Sequence, residues 1–202
     1  MSRVATPRGP ADVDLNVPPG RRRSLLVLGH GAGGGVDAPD LVAVRAALLA
    51  RGVAVAMVTQ PYRVAGRRAP APAAHLDEAF TTVVAGVRGA PGLAALPLVV
   101  GGRSSGARVA CRTATALGAA GVLALAFPLA PPARPERSRA AELATGLPTL
   151  VVNGDRDPFG VPGAGGPVTV VVRPGARHDL RTDLRGTASA VADWMCQMGW
   201  AA

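Results

Sequence analysis

The stretch Gly102-Arg103-Ser104-Ser105-Gly106 lies between an apolar run and a helical pattern. Residues 98–101 are apolar and predict a buried strand, and residues 105–117 place apolar side chains at helical spacing. A Gly-x-Ser-x-Gly pattern in this position is typical of a sharp strand-to-helix turn that exposes the serine hydroxyl. The flanking glycines leave room for the strand and the helix to approach each other. Ser104 is the only one of the six serines framed in this way, and it is the candidate nucleophile.

Length and composition predict one globular domain over residues 1–202, with residues 1–11 as a loose start. The sequence is 49% hydrophobic and 17% charged, which is typical of a folded chain and excludes disorder. Aromatic residues make up only 3%, so we expect a core of Val, Leu and Ala.

The net charge of +9 does not indicate a nucleic-acid partner. All 22 basic residues are arginines, and they are scattered along the chain rather than interleaved with aromatic residues on one helix. The alternative is a solvated basic surface that attracts anionic ligands.

Several other classes of protein are also disfavoured. Cys111 and Cys196 make no disulfide framework and no metal-type spacing, so we expect no metal and no organic cofactor. No signal peptide and no apolar segment of membrane-spanning length is evident, which predicts a cytoplasmic protein without a membrane partner. Trp194 and Trp200 belong either to the core or to a dimer contact, so a monomer and a homodimer both remain open.

Strand patterns alternate with helix patterns along most of the chain. This order predicts an α/β fold with a mostly parallel sheet and helices on both faces. The predicted strands are residues 12–17, 24–29, 53–58, 98–101, 121–127, 149–153 and 168–172. The predicted helices are residues 39–51 with Asp37 as the cap, 73–88, 105–117, and a last helix over 183–198 that Asp183 caps.

A base and an acid follow Ser104 in the chain order that this kind of site requires. A serine hydroxyl needs a base to take its proton and a third group to orient that base. His178 follows the last predicted strand and is the candidate base. The turn after the preceding strand holds Asp155 and Asp157. We favour Asp157 because it lies deeper in the turn, and Asp155 then bonds to its own backbone.

The glycine-rich loop His30-Gly31-Ala32-Gly33-Gly34-Gly35 follows another buried strand. Its backbone amides are suited to stabilising an oxyanion together with the amide of Ser105. Ala32 is the first candidate donor and Gly33 the second. A phosphate-binding loop is the alternative, but the chain has no lysine and the spacing of the glycines does not fit.

Taken together, these motifs resemble the α/β-hydrolase superfamily, and within it the dienelactone-hydrolase-like group. More narrowly, the chain looks like the branch named after testis-expressed protein 30 and the KAT8 regulatory complex subunit 3. The motifs that carry the resemblance are Leu28-Gly29-His30-Gly31-Ala32-Gly33-Gly34, Gln60-Pro61-Tyr62 with Gly66-Arg67-Arg68-Ala69-Pro70, the Ser104 motif, Asn153-Gly154-Asp155-Arg156-Asp157-Pro158-Phe159-Gly160 and Gly175-Ala176-Arg177-His178. The resemblance implies a single-domain, capless fold with Ser104 as nucleophile, Asp157 as acid and His178 as base. The segment 128–146, where larger relatives insert a cap, is too short for one.

The resulting prediction is a serine hydrolase that acts on a small ester, thioester or lactone through an acyl-enzyme. The alternative is a binding or scaffold module with a vestigial site. Five residues are candidates for contact with a small acyl substrate, and their arginines could hold an acidic group of that substrate; a solvated loop is the competing explanation. They are Tyr62, Arg63, Arg67, Arg68 and Arg103.

Overall fold

A computed structural model describes residues 1–202 and shows one sheet of eight strands. The spatial order of the strands is β1-β2-β4-β3-β5-β6-β7-β8. Strands β3 to β8 run parallel, and β2 pairs antiparallel with β1 and with β4. The strands are β1 (Ser2–Thr6), β2 (Gly9–Asn16), β3 (Ser24–Gly29), β4 (Val53–Thr59), β5 (Leu98–Arg103), β6 (Gly121–Leu125), β7 (Thr149–Gly154) and β8 (Val168–Arg173).

Helices cover both faces of the sheet, as the alternating pattern predicts. The α-helices are α1 (Pro39–Leu49), α2 (Pro61–Val64), α3 (Ala73–Arg88), α4 (Ser105–Thr113) and α5 (Leu184–Gln197). Two short 3₁₀ turns cover Ala140–Leu143 and Arg181–Asp183. Helices α1 and α5 pack on one face around Leu41, Val191 and Met195, and α3 and α4 pack on the other around Phe80 and Val109. The α/β fold class with a mostly parallel sheet is therefore confirmed.

The chain start differs from the prediction, because residues 2–16 form a β-hairpin rather than a loose start. The pairing runs from Ser2 opposite Val13 to Thr6 opposite Gly9. Gly9 has φ 99°, a conformation that favours glycine and allows the tight connection. β1 is an edge strand whose side chains are mostly exposed. Its sequence lacks a buried apolar face, and the pairing with β2 is what orders it.

Three helix ends also show where local sequence signals succeed and fail. Asp37 does not cap α1, since Ala38 is the N-cap residue and Pro39 begins the helix without a side-chain cap. Helix α4 ends at Thr113, four residues before the predicted end. The cap of α5 is as predicted: the Gly186 N–H donates to the Asp183 carboxylate over 2.8 Å.

The C-terminal tryptophans pack against each other within one molecule. The rings of Trp194 and Trp200 lie 5.3 Å apart in an edge-to-face arrangement, and Trp194 is buried in the core on the α1 and α5 side. None of the helices combines the length and the apolar character that crossing a bilayer requires.

The loops that follow β3, β4, β5, β7 and β8 all leave the carboxyl edge of the sheet, which brings the predicted site residues together there.

Candidate active site

Ser104 sits at the sharp turn between β5 and α4 in a backbone conformation that L-residues rarely adopt. Its φ and ψ are 53° and −110°. Its N–H donates a 2.9 Å hydrogen bond to the carbonyl of Leu125 on the neighbouring strand β6, which holds the turn to the sheet. Strain of this kind persists only where the surrounding structure enforces it, and it is concentrated at functional sites.

The two glycines of the motif are required by close packing. A methyl group on Gly102 would lie 2.5 Å from the carbonyl oxygen of Gly29, and one on Gly106 would overlap the same oxygen. The end of strand β3, the end of strand β5 and the start of helix α4 therefore pack against one another with no room for a side chain at either glycine. This contact explains in physical terms why small residues flank Ser104.

Ser104, His178 and Asp157 form a continuous chain of hydrogen bonds. The Ser104 Oγ–H donates to His178 Nε2 over 2.9 Å, and His178 Nδ1–H donates to Asp157 Oδ2 over 2.8 Å. Asp155 points elsewhere: its Oδ1 accepts a 2.8 Å bond from the Gly175 N–H. It thus braces the histidine loop instead of bonding to its own backbone. Of the two aspartates in this turn, only Asp157 reaches the imidazole.

The environment of Asp157 fixes its orientation. Its side chain is fully buried, and its second oxygen accepts a 2.9 Å bond from the Phe159 N–H. The ring of Phe159 stacks at 4.4 Å from the ring of His178 and restricts the imidazole on one side. The carboxylate therefore has one oxygen held by the backbone and the other directed to the base.

Asn153 is a structural residue of the site that sequence reasoning missed. The Phe127 N–H donates to its Oδ1 over 2.8 Å, and its Nδ2 donates to the carbonyls of Phe127 and Gly160 over 3.0 and 3.1 Å. The side chain thereby ties the end of β6 to the turn that carries Asp157. A polar residue at the end of the otherwise apolar strand β7 was the available signal.

His30 and Tyr62 hold the glycine-rich loop through hydrogen bonds to two of its carbonyl groups. His30 is buried; its Nε2 accepts the Gln60 N–H over 3.1 Å, so its Nδ1–H is the donor in the 2.8 Å bond to the Gly31 carbonyl. Burial lowers the pKa of His30 and keeps the ring neutral. The Tyr62 hydroxyl donates to the Ala32 carbonyl over 2.7 Å.

These contacts leave the backbone donors of the loop unused. Neither the Ala32 N–H nor the Gly33 N–H donates a hydrogen bond within the protein. Ala32 is half-buried and Gly33 is exposed. The Ser105 amide begins helix α4, whose N-terminus carries partial positive charge directly beside the Ser104 hydroxyl.

Arg103 connects three segments of the site through one guanidinium group. Its Nη2–H donates a 2.8 Å bond to the His178 carbonyl, and its Nε lies 3.1 Å from the Asp40 carboxylate in α1. Its Nη1 also lies close to Gly31. Asp40 is fully buried and accepts no well-aligned hydrogen bond, so the contact is an ion pair. Burial raises the pKa of Asp40, and the charge of Arg103 opposes that rise.

The structure does not bring the five predicted substrate contacts together. Arg63 and Arg103 line a cavity of about 400 Å³ next to the glycine-rich loop. Tyr62, Arg67 and Arg68 line a different cavity of about 600 Å³. Arg103 is engaged with Asp40 and the histidine loop, which gives its side chain a positioning contact rather than a free charge.

The buried thiol of Cys111 adds no reactive chemistry, and the protein holds no cluster of metal-binding side chains. No group of three or more His, Cys, Asp or Glu side chains is placed to hold a metal ion. Burial raises the pKa of the Cys111 thiol to about 12, so this thiol is inert at neutral pH.

Solved structures of other proteins share this fold. No curated protein sequence matches the chain. A structure of an alpha-beta serine hydrolase homologue from Coxiella burnetii is 19% identical, covers 94% of each chain and superposes with a TM-score of 0.79. A serine hydrolase without a lid from Xanthomonas campestris is 19% identical, covers 98% of this chain and 93% of its own, and has a TM-score of 0.78.

A third structural relative is a dienelactone hydrolase from Anabaena variabilis. It is 17% identical, covers 97% of this chain and 95% of its own, and has a TM-score of 0.74. At these identities the likeness establishes the lidless fold. The model of the alpha/beta hydrolase domain family matches residues 22–190, from just before β3 to the middle of α5. The chain therefore belongs to the alpha/beta hydrolase family.

Proposed function

We propose that the protein is a serine hydrolase that cleaves a small ester, thioester or lactone through an acyl-enzyme. The observation that carries this proposal is the unbroken hydrogen-bond chain from Ser104 through His178 to Asp157. The strained turn under Ser104 and the unused amides of the glycine-rich loop support it, because both are features of sites that stabilise a tetrahedral oxyanion.

Each residue takes one role in the proposed reaction. Ser104 Oγ attacks the carbonyl carbon while His178 Nε2 takes the hydroxyl proton. The oxyanion accepts hydrogen bonds from the Ser105 and Ala32 amides, with Gly33 as the second candidate in the loop. The intermediate collapses, the carbon–oxygen or carbon–sulfur bond breaks, and His178 returns the proton to the leaving group. Asp157 keeps the imidazole in the required tautomer and stabilises the imidazolium.

The second half of the reaction uses the same groups. A water molecule loses a proton to His178 and attacks the acyl-enzyme carbonyl, and a second oxyanion forms in the same position. Collapse of that intermediate releases the carboxylic acid and returns the proton to Ser104 Oγ. The short segment 128–146 forms no cap over the site, so water reaches the acyl-enzyme directly from bulk solvent.

The charges around the neighbouring cavity favour a substrate without a strong net charge. Three arginines and three aspartates line the 400 Å³ space, so its charges balance. Arg103 pairs with Asp40, and Arg181 lies 3.7 Å from Asp179. Arg63 and Asp37 line the same cavity without forming an ion pair. We expect neutral and anionic esters of equal size to differ by less than about threefold in kcat/KM, since balanced charges contribute little discrimination.

Labelling with a fluorophosphonate probe tests the proposed reaction. We expect the wild type to be labelled and the Ser104→Ala and His178→Ala variants to lose labelling. Ser105→Ala is the matched control, because it removes the neighbouring hydroxyl and keeps the backbone amide. A folded wild type that refuses the probe contradicts the proposal and favours the scaffold alternative.

We also propose two finer assignments. The order of the five motifs along the chain and their residue sequences support assignment to the branch named after testis-expressed protein 30 and the KAT8 regulatory complex subunit 3. The unpaired thiols of Cys111 and Cys196 support a reducing, cytoplasmic location.

A further inference from the structure

The larger cavity lies apart from the proposed catalytic residues. It has a volume of about 600 Å³ and is enclosed by the turn between β1 and β2, the segment after β4 and the first turn of α3. Neither Ser104 nor His178 contributes to its lining. Tyr62 separates the two regions, because its ring lines this cavity while its hydroxyl bonds to the glycine-rich loop at Ala32.

The cavity carries uncompensated positive charge. Arg8 lines it but pairs with Glu78 of α3, with 2.5 Å between Nε and Oε2. Arg67 and Arg68 also line it, and neither forms an ion pair. Both side chains are exposed and free to close on a ligand. Guanidinium groups bind carboxylates and phosphates through paired hydrogen bonds, so the cavity is suited to an anion.

A buried acceptor adds a second requirement on the ligand. Gln60 lines the cavity and is 5% exposed, yet its Oε1 has no hydrogen-bond partner. Its Nε2 donates to the Leu76 carbonyl over 3.2 Å, which fixes the orientation of the amide. A buried carbonyl without a donor is costly. Because Oε1 is closed off from solvent, a ligand hydroxyl reaches it only after a small shift of the Gln60 side chain toward the cavity.

We propose that this cavity binds a small organic anion that also carries a hydroxyl group, such as a hydroxy acid or a polyol phosphate. Arg67 and Arg68 hold the anionic end, and the hydroxyl donates to Gln60 Oε1. The Tyr62 ring and the neighbouring proline and alanine side chains contact the carbon skeleton. This site is distinct from the proposed ester-cleaving site and does not depend on it.

Isothermal titration calorimetry in a phosphate-free buffer tests the proposal on the whole chain. The probes are sn-glycerol 3-phosphate, glycerate and n-propyl phosphate; the last has a phosphate but no hydroxyl. The Arg67→Gln/Arg68→Gln variant is compared with Arg134→Gln/Arg137→Gln, which removes the same charge from two other exposed arginines. Gln60→Met removes the acceptor at nearly constant shape.

We expect glycerol 3-phosphate or glycerate to bind the wild type and the control variant equally. Binding should weaken at least about tenfold in Arg67→Gln/Arg68→Gln, the loss typical of charged hydrogen bonds. Propyl phosphate should bind more weakly than glycerol 3-phosphate, and Gln60→Met should abolish that difference. The better of the two hydroxylated probes identifies the anionic group.

Three results would overturn the proposal. They are an absence of binding by every probe, an equal loss in both double variants, and no preference for the hydroxylated phosphate. Repeating the titration after Ser104 has reacted with the fluorophosphonate distinguishes this site from the catalytic one. Binding that survives the reaction supports a separate site, and binding that is lost refutes it. If the protein does not react with the fluorophosphonate, the comparisons among the probes and variants still decide the proposal.

Discussion

Replacing Arg103 with methionine is expected to destabilise the protein increasingly as the pH rises. In the wild type the guanidinium lies 3.1 Å from the Asp40 carboxylate, which is fully buried. No well-aligned hydrogen bond reaches either oxygen of that carboxylate. Without Arg103, an ionised Asp40 would be an isolated charge in the core, and the folded variant avoids this by keeping Asp40 protonated.

The size of the effect follows from proton linkage. Burial already raises the pKa of Asp40 in the wild type, against the opposing charge of Arg103, and removing that charge raises it further. The unfolded chain loses the Asp40 proton above a pH of about 4, so the folded variant holds more protons than the unfolded chain. Its free energy of unfolding then falls by about 1.4 kcal/mol per pH unit, or about 2.7 kcal/mol between pH 5 and 7.

Urea denaturation at pH 5, 6 and 7 measures this slope. The variants are Arg103→Met and the double variant Asp40→Leu/Arg103→Met, each compared with the wild type. Replacing both members of a buried ion pair with apolar residues is often close to neutral, so the double variant should regain stability and lose the slope. The reasoning is refuted if the stability difference between the wild type and Arg103→Met is constant from pH 5 to 7. A double variant as unstable as Arg103→Met would refute it equally.

Three further predictions concern the site and its support. Asp157→Asn should lower kcat for ester hydrolysis at least about 10³-fold, because asparagine does not hold His178 in the required tautomer. Asp155→Asn should lower kcat less than about tenfold, and similar losses in the two variants would contradict the assignment of the acid. Gly106→Ala should lower the free energy of unfolding by about 3 kcal/mol, because the methyl group overlaps the Gly29 carbonyl, and a melting temperature equal to the wild type would exclude this contact. His30 is neutral when folded and its pKa is lowered by burial, so its contribution to stability is present above a pH of about 6.5 and is lost as the pH falls below it. His30→Gln should therefore lose less stability than the wild type between pH 7.5 and 5.5 in urea denaturation, and parallel losses would count against a buried neutral ring.

The sequence predicted the parts of the fold that depend on local pattern. Buried parallel strands are continuous apolar runs, so β3 and β4 could be located within one residue. The region around Ser104 was predictable because its close packing against β3 demands glycine on either side. The order of Ser104, Asp157 and His178 along the chain matches the order of the strands that carry them, which is why the three could be grouped before any distance was known.

The contacts between distant segments could not be predicted in this way. Asp40 lies in the first turn of α1, and nothing near it in the chain indicates that Arg103 lies against it. The arginines after β4 looked like one cluster because they are close in sequence. Arg63 and Arg67 instead line different cavities, since α2 ends at Val64 and the chain turns at Gly66, where φ is 75°. The β1–β2 hairpin pairs locally, but it joins the sheet only through the pairing of β2 with β4, which is distant in sequence.

The strained turn at Ser104 makes the reactivity of this serine a reporter of the folded core. Its position requires β3 beneath the motif glycines and β6 beside its backbone amide, so the hydroxyl is presented only when three central strands are assembled. A partly unfolded chain that keeps its helices but loses this packing relaxes the turn. The rate at which an active-site probe reacts should therefore fall in step with the loss of the central sheet, and fraying confined to the edge strand β1 should leave that rate unchanged.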